Sequence, residues 1–279
     1  MVTNEPTDDW KANVGKVSLT ARQTEIREAF IARRGYWADD WQLILELDPE
    51  FLARYTEVSA YAGEHATAVA DGGLDRKSRE LIYVALCAQL THPHPPGILG
   101  HGRNAIAAGA TPQEVLAVME LVSTLGVAGL HLAVRELEAD APGTVAGLAA
   151  QDGTTDAEVA TLSEQFRSVY GAWDDEVEDV LRAAAGFYRT VIDLSEIPRH
   201  SGVLDPKLVA LITFATDAFV THRDEAALRR DIRAAKAAGV SPRELLDVVI
   251  QTCGAGIHAV TVGAPLLAQL MAEPAPDPA

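Results

Sequence analysis

The chain has 279 residues, 48% of them hydrophobic, enough to bury a substantial core in one or two domains. With 23 basic against 40 acidic residues its net charge is −17, which repels phosphate backbones and anionic lipid surfaces, so nucleic acid is not an expected partner. Residues 1–17 show no apolar run behind basic residues and no stretch reads as a bilayer-crossing segment, so a cytoplasmic location without a membrane partner is expected.

In chain order, Ser18 or Thr20 can cap a helix whose apolar positions Ile26, Phe30 and Ile31 fall near one face and which Gly35 closes. Leu74-Asp75 starts a buried helix carrying Leu81, Ile82, Val84, Ala85 and Leu86 at helical spacing. The segment THPHPPG, 91–97, must turn, because consecutive prolines deny backbone donors and push their predecessors out of the helical region. Pro96 then suits the first turn of a helix bearing His101 and Arg103, and Gly109 closes it. Thr111 with Glu114 three residues on opens the next helix, which runs to the small-residue segment Gly126–Gly129. Residues 141–153 read as a linker between a first helical unit, 18–140, and a second, 154–272. Strand signals are scarce, so the fold expected is all-α. Cys87 and Cys253 each sit inside an apolar helical pattern and read as small buried residues, with neither a disulfide nor a cysteine metal site indicated.

The second half repeats the first. Leu204–Val262 superposes on Leu74–Leu132 without a gap at a constant offset of 130 residues, as Gly239 against Gly109 shows. Earlier segments pair at an offset of 136, Trp173 against Trp37, so the first repeat carries a surplus around residues 61–73 that could wall a pocket.

Glu80, His92, His94, His101, Arg103 and His131 are the residues able to carry chemistry. Glu80 lies among apolar neighbours, where burial disfavours a charged carboxylate unless a cation or donor compensates; the alternative is a surface ion pair with Arg76 or Arg79. His101, on the next helix, can be its partner or a satisfied structural histidine. Arg103 can hold a carboxylate bidentately, although two residues from His101 it cannot share that helical face. His92 and His131 are further substrate-binding candidates. His92, His94 and His101 also supply three imidazoles, a number typical of catalytic zinc, with Glu80 or water completing the shell. In the second repeat Glu80 is matched by Ala210, His94 by Asp224 and His101 by Asp231, so one working site in the first repeat and a scaffold role for the second are expected.

The order LDRKSRELIYVAL, short linker, helix His101, AAGATPQEV and a Gly-ended apolar helix resembles the carboxymuconolactone decarboxylase family, which includes the alkyl hydroperoxidase D proteins. The peroxidase branch of that family carries Cys-x-x-Cys before the helix histidine; the corresponding positions here are His94 and Gly97, so the resemblance points to the cysteine-free branch. It implies Glu80, His101 and His94 as catalytic residues of a cofactor-free lyase, decarboxylase-like, or an isomerase. The substrate would be a small carboxylate, lactone or carbonyl compound, as in aromatic compound catabolism. A histidine-liganded metal-dependent lyase or hydrolase and a non-catalytic oligomeric binding protein are the alternatives. It further implies a homo-oligomer, a homotrimer of two-unit chains in place of a hexamer of single units.

Overall fold

Thr20 accepts from the Gln23 backbone N–H while the Gln23 side chain reaches back to the Thr20 N–H, a reciprocal cap that opens α1 (Ala21–Arg34). Gly35, at φ 79°, closes that helix in a left-handed conformation that L side chains resist. The same logic sets most of the architecture in this computed structural model, which describes residues 18–68, 73–171, 176–222 and 225–272. Among the described residues all regular structure is helical and there is no strand.

The chain divides into two compact units, one formed by residues 1–68 with 253–279 and the other by 69–252. In the first, α1 packs on α2 (Asp40–Leu47) and α3 (Pro49–Ala68), and α2 also packs on α15 (His258–Ala272). Phe30 centres this core, edge-on to Trp37 at 5.3 Å and tilted against Trp41 at 4.9 Å, with Leu45 and Leu52 fully buried beside it.

The second unit begins with α4 (Arg76–Cys87), capped by Asp75, and α5 (Pro95–Ala107), whose first two positions are prolines. It continues through α6 (Pro112–Ser123), α7 (Ala128–Asp140), α8 (Thr144–Asp152), α9 (Asp156–Tyr170), α10 (Glu176–Ala183) and α11 (Ala185–His200). It ends with α12 (Pro206–Asp217), α13 (Glu225–Ala237) and α14 (Pro242–Gly254), the last of which reaches the unit's boundary. α4 lies against α5, α6 and α12, while α10 lies against α7, α8 and α9. Phe166, Leu162, Leu181 and Tyr188 are fully buried between the latter helices.

These units cut across the repeat in the sequence. α10, from the second repeat, packs on α7 from the first, and α2, from the first, packs on α15 from the second. Features nevertheless recur at the offset of 130: Asp75 and Asp205 cap α4 and α12, and Lys77–Glu114 and Lys207–Glu244 are ion pairs of 2.8 Å each.

Residues 141–153, read as a linker, are mostly the helix α8: TVAGLAAQD holds good helix formers, Val145 is buried, and Gly143 and Gly153 flank the helix at φ 94° and 70°. Two expectations are corrected. The helical runs Pro112–Asp140 and Pro242–Ala272 are, by length and composition alone, long and apolar enough to cross a bilayer. A 3-10 turn interrupts each, at Thr124–Val127 and Ala255–Ile257, which hides the length of the run from a reading of single helices. Cys253 is exposed, unlike Cys87, because it turns outward at the end of α14. The surplus near 61–73 begins as a helical extension of α3 to Ala68; its remainder, and the wall expected there, lie outside the described residues.

Candidate active site

α4 and α5 are the most closely packed helices of the second unit, and their contact sets Glu80 against His101. The His101 Nδ1 and Glu80 Oε2 are 2.7 Å apart, with side chains 10% and 16% exposed, so the pair is desolvated yet within reach of the surface. The cation or donor that a carboxylate among apolar neighbours requires is therefore the imidazole, not Arg76 or Arg79. The Tyr83 ring stacks on the imidazole, centroids 4.5 Å apart at 19°, and holds the ring plane. Asn104, one turn after His101, approaches the other Glu80 oxygen at 3.5 Å. When Nδ1 carries the proton it donates to Oε2, and Nε2 is the ring nitrogen that this bond does not use.

His94 is buried at the N-cap of α5, where its Nδ1 accepts from the Gly97 backbone N–H at 3.1 Å and its own N–H donates to the Cys87 carbonyl at 2.8 Å. Burial, followed by the charges of His92 and His101, pushes its imidazole down to about 4, so it is neutral at physiological pH. The cap needs glycine at 97, because a Cβ there would stand 2.5 Å from the Cys87 sulfur and 2.6 Å from the His94 Nδ1. A cysteine at that position has no room, in agreement with the missing Cys-x-x-Cys.

His92 is half-buried with its ring 6.5 Å from that of His94 and nearly parallel to it. With the His94 Nδ1 committed to the helix cap and the His101 Nδ1 to Glu80, a metal held by His92, His94 and His101 would have to use the remaining ring nitrogens. Arg103 is exposed on α5, about 200° around the helix from His101, and does not join the pair. His131 is placed elsewhere: it hydrogen-bonds the Tyr188 hydroxyl and lines a separate cavity of about 230 Å³. Its partner lies 57 residues away in sequence, so no local pattern reveals the pairing.

That cavity also holds groups which the sequence reading did not single out. Arg199, Arg230, Asp217 and Asp231 line it, together with Tyr170 and Phe166. Asp231 occupies the position of His101 and Asp217 that of Cys87 at the offset of 130, so the second repeat has exchanged its polar set rather than lost it. The signal in the sequence was Asp217, the one charged residue in the apolar run LVALITFATD; Arg199 sits in TVIDLSEIPR beside Asp193 and Glu196, where nothing sets it apart.

An all-α fold presenting a hydrogen-bonded Glu–His couple on adjacent helices defines a helical protein equipped for acid–base chemistry. Residues 49–139 match the carboxymuconolactone decarboxylase family. A crystal structure from Burkholderia xenovorans, of a protein provisionally named a gamma-carboxymuconolactone decarboxylase subunit, is similar over 89% of this chain and 97% of its own, at 27% identity and a TM-score of 0.78. No curated protein matches the chain. Residues 49–139 are thus similar to the carboxymuconolactone decarboxylase family, and the fold over most of the chain is like that of the Burkholderia protein.

Proposed function

We propose that the protein is a cofactor-free, decarboxylase-like lyase that acts on a small carboxylate or lactone through the Glu80–His101 pair. The carrying observation is the 2.7 Å contact between Nδ1 and Oε2, which orients the imidazole and leaves Nε2 to exchange a proton with substrate. Cleavage of the bond to the carboxylate releases carbon dioxide and leaves the electron pair on carbon as an enolate. That carbon must then be protonated. Nε2, protonated from solvent before the bond is cleaved, supplies the proton, and Glu80 stabilises the imidazolium until it is spent. Reprotonation from solvent restores the couple. His94, neutral and fixed by its cap, positions the start of α5, and with it the helix that bears His101. The name of the Burkholderia protein makes gamma-carboxymuconolactone the first compound to assay.

Carbon dioxide release from that lactone, followed for wild type, His101→Ala and Glu80→Gln, tests the reading. His101→Ala should lower turnover by about 10²-fold or more, and Glu80→Gln should act on the same step. Equal rates in wild type and His101→Ala would remove the pair from the chemistry. We also propose that three chains assemble into the functional particle.

A further inference from the structure

The cavity lined by His131 and Tyr188 also holds Arg199, which is 7% exposed; its plane lies over the Tyr170 ring at 4.5 Å, and its Nε and Nη2 meet no acceptor among the described residues. A buried guanidinium that lacks an acceptor is costly, and its usual complement is a carboxylate held through two parallel N–H donors. Burial opposes its charged form, while Asp231 and Asp217 act on it through charge. Arg230 stands 3.9 Å from Asp231, and Asp217 lies 3.5 Å from His222. Burial and the adjacent Asp217 carboxylate raise Asp231 well above the usual carboxylate range. Asp217, which burial would raise, is held below that range by His222, Asp231 and Arg230. The two carboxyls thus carry about one negative charge against two guanidiniums.

We propose that this cavity is a second ligand site, distinct from Glu80–His101, which binds a small monocarboxylate with an apolar body through Arg199. The excess of one positive charge suits a monoanion better than a dianion. Phe166, Val127 and Val209 offer an apolar wall, and about 230 Å³ limits the ligand to a small molecule. Ala210 lines this cavity where the first repeat has Glu80, so the acid–base couple is missing here and the site binds rather than converts.

Isothermal titration of the full chain with benzoate, benzamide and inorganic phosphate tests the proposal independently of any turnover. Benzoate should bind wild type and His101→Ala alike, with benzamide about tenfold weaker or worse and phosphate weaker than benzoate. Arg199→Met should weaken benzoate by about tenfold or more, and Arg199→Lys, which keeps the charge but not the planar fork, by several-fold. Circular dichroism checks that both variants fold, and the comparison of benzoate with benzamide on wild type stands whether or not they do. Unchanged benzoate affinity in Arg199→Met would overturn the assignment. So would loss of binding in His101→Ala, phosphate binding more tightly than benzoate, or no benzoate binding at all.

Discussion

The hydroxyls of Thr91 and Thr221 are 3.1 Å apart although the residues are separated by 130 positions, the offset at which the two repeats superpose. Equivalent residues touch each other only on a local two-fold axis, so the turns after α4 and α12 meet on that axis. The contact is exposed and contributes little by itself. It does set a geometry for cross-linking. Thr91→Cys with Thr221→Cys should oxidise to a disulfide, seen as a faster band on non-reducing electrophoresis. Closing so long a loop should raise stability by up to about 4–5 kcal/mol. Failure to cross-link under mild oxidation would place the two turns farther apart.

Arg199 should cost the unliganded protein stability. Its burial without an acceptor outweighs the cation–π contact with Tyr170, which is worth about 1–2 kcal/mol. Arg199→Met is therefore expected to raise the denaturation midpoint, by about 1 kcal/mol or more in free energy, in the absence of ligand. A lowered midpoint would show that the guanidinium is already compensated.

His94 makes stability depend on pH in a stated direction. Its folded value of about 4 lies below the ordinary 6.5, so between these limits the unfolded chain binds a proton that the folded chain does not. Stability contributed by the neutral imidazole is present above about pH 6.5 and is lost as pH falls through 4. His94→Asn, which retains a capping side chain, should flatten that part of the pH–stability curve at little cost near pH 7, whereas His94→Ala should lose about 1 kcal/mol of cap. Denaturant titrations at pH 7, 5.5 and 4.5 on the three proteins distinguish these outcomes.

If three chains assemble as proposed, light scattering should give a mass of about three times the 29.7 kDa chain. The first compact unit offers an uncovered apolar groove between α2 and α15, with Leu47, Phe51 and Leu267 each more than 40% exposed. Leu267→Glu on that groove should lower the observed mass without unfolding the chain. A monomer across micromolar concentrations would contradict the assembly.

Much of this was legible in the sequence because it is encoded locally. Thr111 with Glu114, Thr20 with Gln23, and Pro95 with Pro96 state where helices begin, and the structure places caps at each. Glu80 and His101 were legible as polar residues on neighbouring helices, and it was the family resemblance that singled them out as a pair. What was hidden depends on distant chain. His131 finds Tyr188 through packing of α7 with the second repeat, and the buried charges of α11, α12 and α13 meet only around their shared cavity. Residues 141–153 were read as a linker, and the helix α8 inside them, flanked by Gly143 and Gly153, was not read from the sequence.

The packing of α7 on α10, and of α15 on α2, bears on how the chain can be taken apart. Each repeat supplies the closing helix for the other's opening cluster, so a fragment ending at residue 140 would leave α7 without α10 and α2 without α15. Neither half is a module that could be moved alone into another protein. Cutting the chain between the repeats would therefore expose the faces of α7 and α2 that α10 and α15 now cover.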